Sequence, residues 1–248
     1  MTLIPRARSS PVLIGTAGWS IPRASAERCP GGGSHLERYA RAFRAAEINS
    51  SFHRPHAAAT YARWARSTGR GFRFAVKLPR AITHDLKLRG VRPALTRFLD
   101  ETNSLGSRRG PLLIQLPPSL GFDPRLVTTF CRTLRAAYRG VAVCEPRHPT
   151  WFTDAANAVL VRYAIARVAA DPPPARGADR PGGWPGVVYY RLHGSPDKYW
   201  SSYDTPFLDR LADDIRAARK RAPTWCIFDN TASGAALQNA WELLTRLR

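Results

Sequence analysis

Acidic residues are scarce in this chain: 18 Asp and Glu stand against 38 Lys and Arg, for a formal net charge of +20. Lysine is scarcer still. Only Lys77, Lys87, Lys198 and Lys220 carry an ammonium, and every other basic residue is Arg. Such a balance implies a positive field that would draw polyanions. It equally fits a solvated basic surface, or the Arg- and Ala-rich usage of a GC-rich genome. Cysteine is limited to Cys29, Cys131, Cys144 and Cys226, none at a CxxC spacing, which excludes the common structural zinc motifs. Cys144 and Cys226 lie inside apolar runs and read as small buried hydrophobes, so a reducing cytoplasm is the expected compartment. Long apolar runs are missing too. The least polar stretch, residues 155–170, is broken by Arg162 and Arg167, so no membrane span is expected. Residues 1–11 carry Arg6 and Arg8 without an apolar core, so no secretion signal is expected.

What is present suits a globular fold. The chain has 248 residues, 44% hydrophobic and 10% aromatic, enough for a substantial core and too much for disorder. Eight apolar runs read as strands: 12–19, 47–52, 72–79, 112–118, 141–145, 163–171, 187–194 and 225–230. Most are stopped by Gly or Pro. Helical patterns lie between them. Ser34 with Glu37 forms a capping box for a helix to Phe43. Residues 57–67 place Tyr61, Trp64 and Ala65 at helical spacing. Residues 93–105 carry a stripe of Leu95, Phe98, Leu99 and Asn103. Asp123-Pro124 supplies an N-cap and a Pro at N1. Residues 151–161, 206–220 and the C-terminal segment complete the set. Only the connector from Pro172 to Pro185 lacks a helical pattern. Strand–helix alternation of this kind predicts a single (β/α)8 TIM-type barrel of parallel strands over residues 1–248. An open, doubly wound sheet is the competing architecture.

The strand ends share a polar character. Glu47 and Asn49, Lys77, Gln115, Glu145, Asp171, Arg191 and His193, and Asp229 and Asn230 all fall at the C-terminal ends of apolar runs. His53, Arg54, His84, Arg147 and His148 follow in the loops. Barrel active sites open on that face. The alternative is a set of ion pairs closing the barrel top, for example Glu145 with Arg191. Carboxylates from the second, fifth and eighth strands would meet near the axis, with Lys77, Arg147 and Arg191 keeping them ionised. The candidate catalytic set is therefore Glu47, Lys77, Glu145, Arg147, His148, Arg191, His193 and Asp229. Glu145, His148, His193 and Asp229 could instead hold a divalent metal, although no HExxH motif supports it. A candidate phosphate site is formed by Gly194, Ser195, Asn230, Thr231, Ser233 and Gly234. These are small residues beside a helix N-terminus after the last two strands. Plain helix capping by Thr231 or Ser233 is the alternative. Tyr189, Tyr190, Tyr199, Trp200 and Tyr203 could stack on a base or form a packed lid.

Gly15-Thr16-Ala17-Gly18-Trp19, Glu47-Ile48-Asn49-Ser50-Ser51-Phe52, Ala75-Val76-Lys77-Leu78-Pro79 and Ile82-Thr83-His84 resemble motifs of the YecE-like family. So do Gln115-Leu116-Pro117-Pro118, Glu145-Pro146-Arg147-His148, Arg191-Leu192-His193-Gly194 and Phe228-Asp229-Asn230-Thr231-Ala232. This is a domain of unknown function, number seventy-two in that naming series. The resemblance covers nearly the whole chain, implies a TIM barrel and implies no established reaction. Three functions are expected to compete. The first is an enzyme on a phosphate-containing substrate, nucleic acid or nucleotide, as in metal-assisted phosphodiester hydrolysis. The second is an isomerase or lyase on a small polyol. The third is a non-catalytic barrel that binds nucleic acid or another ligand.

Overall fold

The structure is a computed structural model that describes residues 10–248. Residues 1–9, the greater part of the segment in which no secretion signal is expected, lie outside the described residues. The elements run β1 (Val12–Ala17), α1 (His35–Ala42), β2 (Ala45–Ile48), α2 (Ala58–Arg66), β3 (Arg73–Lys77), α3 (Arg92–Asn103), β4 (Arg109–Gln115) and α4 (Pro124–Ala137). Then follow β5 (Ala142–Glu145), α5 (Asp154–Arg162), β6 (Ile165–Arg167), β7 (Ala169–Asp171), β8 (Gly182–Gly183), β9 (Val188–Leu192), α6 (Thr205–Ala218), β10 (Thr224–Phe228) and α7 (Ala235–Leu247).

Hydrogen-bonded neighbours run β7-β9-β10-β1-β2-β3-β4-β5-β6-β8, parallel throughout except at the two-residue β8. The expected sixth strand is present as two pieces. Its first half, β6, pairs with β5, and its second half, β7, pairs with β9. Only Val168 separates them, and its N–H donates to the Cys144 carbonyl at 2.9 Å. Residues 165–171 therefore close the ring. The connector from β7 to β9 has no helix, as its Pro- and Gly-rich sequence predicts.

Capping chemistry sets the helix starts. The Ser34–Glu37 box is formed, and Asp123 accepts from the N–H groups of Arg125 and Leu126. Among the differences from the pattern-based expectation, three bear on packing. β2 starts at Ala45 and ends at Ile48, because residues 50–52 form a tight turn. Ser51 anchors that turn by donating to the Ile48 and Lys77 carbonyls at 2.9 and 2.7 Å. Trp151 precedes its helix. It is buried, and its indole N–H donates to Leu120 O at 2.9 Å, while Thr153 caps α5. On α3 the fourth buried position is Thr102, not Asn103.

Period-two alternation divides the core into two shells. Ala45, Ala75, Leu113, Val143, Tyr189 and Ile227 form one apolar cluster inside the ring. Residues one step along, such as Ala46, Phe74, Val76, Leu112 and Ile114, pack against the helices. At Gly15 in β1, an added Cβ would sit 2.0 Å from the Ala45 carbonyl oxygen. That neighbour is backbone of the adjacent strand and cannot move aside. We expect Gly15→Ala to lower stability by more than about 2 kcal/mol, read from the urea midpoint at unchanged slope. An unchanged midpoint would mean that this strand pair is looser than the register implies.

Candidate active site at the barrel mouth

Two residues beyond the inner apolar layer, the same inward direction recurs. Ala45 is followed by Glu47, Ala75 by Lys77, Leu113 by Gln115, Val143 by Glu145, Tyr189 by Arg191 and Ile227 by Asp229. The polar residues form the next inward layer, at the C-terminal mouth, because a strand repeats its facing every second residue. Arg191 is the centre of this layer and has 0% exposure. Its Nη2 donates to Glu47 Oε1 at 2.7 Å and lies 3.0 Å from Asp229 Oδ2. Nε reaches both Glu47 oxygens, at 3.2 and 3.1 Å, and Nη1 donates to Glu145 Oε2 at 3.1 Å. The ion pair between Glu145 and Arg191 is thus one arm of a larger network. Three carboxylates from three strands share one guanidinium.

His193 completes the layer from the next inward position of its chain segment. Its Nε2 lies 2.9 Å from Glu145 Oε1 and its Nδ1 2.9 Å from Asp229 Oδ2. An imidazolium donates to both carboxylates, whereas a neutral ring has one N–H only. Tyr189 donates to Glu47 Oε2 at 2.9 Å and Gln115 Nε2 to Glu145 Oε2 at 3.1 Å. Burial by itself would raise the Glu145 carboxyl pKa, but Arg191, His193 and Arg147 outweigh it and hold it well below the usual carboxylate range. Asp229 is lowered by the same balance, with Arg191 and His193 opposing burial. For Arg191, burial works downward while Asp229, Glu47 and Glu145 hold the guanidinium pKa well above its ordinary value.

Three further cations stand around this network. Lys77 is 6% exposed, and its Nζ lies 4.0 Å from the centroid of the Phe52 ring. Burial, then the Arg191 charge, pushes its ammonium pKa down to about 8 against the pull of Glu47, Glu145 and Asp229. Arg147 reaches Glu145 Oε1 at 3.3 Å and bonds the Tyr199 hydroxyl. Lys198 lies over the Tyr199 ring at 5.4 Å, with its pKa lowered by burial and by Arg147. Tyr199 packs edge-on against His193, at 5.8 Å between ring centroids. The loop after β9 therefore covers the imidazole.

His148 is not brought to this network. Its Nδ1 lies 2.9 Å from Thr150 Oγ1 and accepts from the Thr150 N–H, capping the turn at 149–151. Without it, a metal would depend on Glu145, His193 and Asp229. These surround the Arg191 cation rather than a gap, so the donor set does not fit a divalent ion. Among the described residues no group of three or more His, Cys, Asp or Glu is placed to hold one. The small-residue loop also differs in use from a phosphate cradle. Gly194 N–H donates to Tyr203 OH, and the side-chain amide of the buried Asn230 donates to Ser201 O and Asn239 Oδ1. Ser233 donates to Trp200 O, while Ser195 and Thr231 are exposed. The N–H groups of Ala232, Gly234, Ala235 and Ala236 are already bonded to Tyr199 O, Thr231 O, Ser233 Oγ and Asn230 O. Thr231 and Gly234 line a separate cavity of about 190 Å³ with Thr16, Ser20 and Leu237.

Of the aromatic group, Tyr189 and Tyr203 are tied into the core by their hydroxyls, and Tyr190 packs outside the ring. Tyr199 and Trp200, 39% and 62% exposed, remain at the mouth. Sequence reasoning missed two participants, Phe52 and Lys198. Tyr189, expected to stack on a base or form a lid, instead joins the network, as its place two residues before Arg191 on the strand allows. Phe52 and Lys198 lie on turns, where no periodicity assigns a direction.

The fold and the site define a (β/α)8 barrel whose C-terminal mouth is filled by a buried ionic network under an aromatic loop. Residues 13–248 match the family described as "Protein of unknown function DUF72", and the chain belongs to that family. It is 31% identical over 176 residues to the UPF0759 protein YecE of Escherichia coli, covering 67% of this chain and 61% of that protein. The match thus spans about three fifths of the relative's length. Among solved structures, a DUF72 family protein of Enterococcus faecalis superposes with a TM-score of 0.80 at 19% identity, covering 95% of each chain. One of Thermotoga maritima gives 0.79 at 24% identity, covering 96% of this chain and 99% of that one. These likenesses establish the fold. No described helix is long and apolar enough to cross a membrane.

Removing the central cation should expose the logic of the network. In the native protein the lowered carboxylate pKa values add stability above the ordinary carboxylate range near pH 4, and that stability is lost as pH falls through the folded values. In Arg191→Met, burial loses its strongest opponent and those pKa values rise, so the cost grows as pH rises. We expect a loss of about 3–5 kcal/mol at neutral pH, shrinking toward pH 4.5, measured by urea unfolding at both pH values. A gap as large at the acid pH would show that Arg191 does not neutralise these carboxylates.

Proposed function

We propose that this protein is a hydrolase-like enzyme acting on a phosphate-containing substrate, a nucleotide or a nucleic-acid segment, at the barrel mouth. One observation carries the reading. Lys77, Arg147 and Lys198 flank the place where two carboxylates and an imidazole meet, and Lys77 and Lys198 rest on aromatic rings rather than in ion pairs. Arg191 is consumed by the network, but these cations are positioned for an incoming anion. His193, set between Glu145 and Asp229, is the proton carrier, and its two partners orient the ring. Because Tyr199 covers His193, substrate reaches it by displacing the loop after β9.

A second reading, an isomerase or lyase on a small polyol, is favoured by two acceptors at the strand ends. Asn49 Oδ1 and Asn230 Oδ1 are buried without a hydrogen-bond partner and would suit hydroxyl donors.

Titration calorimetry with inorganic phosphate and AMP, together with turnover of p-nitrophenyl phosphate and its bis-ester, tests the first reading. Binding should weaken at least about tenfold in Arg147→Met, the scale of one lost charge-assisted hydrogen bond. Background turnover and no heat of phosphate binding with the native protein would remove the reading.

A further inference from the structure

The more deeply buried of the two amines at the mouth has features that anion binding alone does not require. Lys77 ends β3, its stem is enclosed by the barrel, and its Nζ faces the π surface of Phe52 instead of a carboxylate. Phe52 also packs edge-on against His84 at 4.8 Å, so two rings form one wall of the amine's surroundings. The neighbouring Arg191 guanidinium is permanently charged and opposes a second cation beside it, against the pull of Glu47, Glu145 and Asp229. A lysine desolvated against rings and next to another cation is a neutral amine for a useful fraction of the time, and a neutral amine is a nucleophile.

We infer that Lys77 is a covalent catalytic residue that forms an imine with a carbonyl group of the substrate. The inference rests on the reading of this mouth as the site for a phosphate-bearing substrate and adds that substrate's second functional group, an aldehyde or ketone. The Nζ lone pair attacks the carbonyl carbon. A C–N bond forms as the C=O π pair moves to oxygen, which takes a proton. Nitrogen then gives up a proton, the hydroxyl takes a second proton and leaves as water, and the nitrogen lone pair closes the C=N bond of a protonated imine. Hydrolysis runs the same steps backward, so no oxidant or reductant is needed. His193, between Glu145 and Asp229, carries the protons. Arg147 and Lys198 hold the phosphate, and protonated imine nitrogen draws electrons from the adjacent carbon, weakening a C–H or C–C bond there.

The chain has four lysines, so the test is a count. Protein is incubated with glycolaldehyde phosphate, reduced with sodium borohydride and mapped by mass spectrometry. We expect one adduct per chain, on Lys77, forming at least about tenfold faster than on Lys87, Lys198 or Lys220. Its rate should be half-maximal near the amine's pKa of about 8, and the Lys77→Arg chain should lack it. Competition by inorganic phosphate separates the two readings. An adduct on Lys77 that phosphate does not slow supports the imine and removes the phosphate site. Labelling spread over all four lysines by exposure overturns the imine, and it leaves the phosphate site standing if calorimetry still shows phosphate binding. Spread labelling without phosphate binding overturns both.

Discussion

The structure depends on one buried cation. Three carboxylates, Glu47, Glu145 and Asp229, converge inside the ring from β2, β5 and the end of β10, and Arg191 touches all three. Left alone, such carboxylates would protonate or stay apart, because an unpaired buried charge costs several kcal/mol. The guanidinium suits the task because its planar fork offers five N–H donors and cannot lose its charge. The network also spreads restraint around the barrel. It ties β2, β5, β9 and β10 together across the axis, where no backbone hydrogen bond can reach. His193, Tyr189 and Gln115 satisfy the remaining carboxylate lone pairs, so the layer is dense and closed.

A closed network of this kind is a poor binding surface in itself. The proposed function uses its border, where Lys77 and Lys198 rest on aromatic rings rather than in ion pairs. Lys77, Arg147 and Lys198 form that border, and each meets an aromatic ring or hydroxyl as well as the carboxylates beneath. The carboxylates and Arg191 are held deep, and Arg147 and Lys198 add positive charge toward the opening, which gives the mouth a direction. An anionic group would settle outermost, leaving its neighbouring atoms over the imidazole and the amine. The loop carrying Lys198, Tyr199 and Trp200 supplies both a cation and a cover, so under the proposed function a ligand that enters also uncovers His193. The separate cavity beside Thr231 and Gly234 plays no part in this arrangement, since most of the N–H groups around it are already bonded within the protein.

The barrel was legible because its signal is local. Eight apolar runs, their Pro and Gly stops, the Ser34–Glu37 box and the Asp123 cap each follow from residues a few positions apart. The identities of the mouth residues followed from the same rule, since a polar residue at the end of an apolar run must face the open end of a parallel barrel. Alternation along 187–194 even places Tyr189, Arg191 and His193 on one face. The errors were local as well. Nothing in the run 47–52 shows that Ser51 would fold back to bond two carbonyls, and nothing near Trp151 announces a buried partner thirty-one residues earlier.

Sequence alone therefore determined the strand count, the direction of the mouth and the kinds of side chain gathered there, because each depends on spacing along the chain. Tertiary structure decided which of those side chains meet. It placed Arg191 against Glu47, 144 residues away, turned His148 aside to cap its own turn and set Lys77 on a ring instead of a carboxylate. These choices depend on distances across a closed ring, between strands whose separation in sequence carries no record of their separation in space. Which charge is neutralised and which stays available is a property of that ring, and it appears only once the chain has closed on itself.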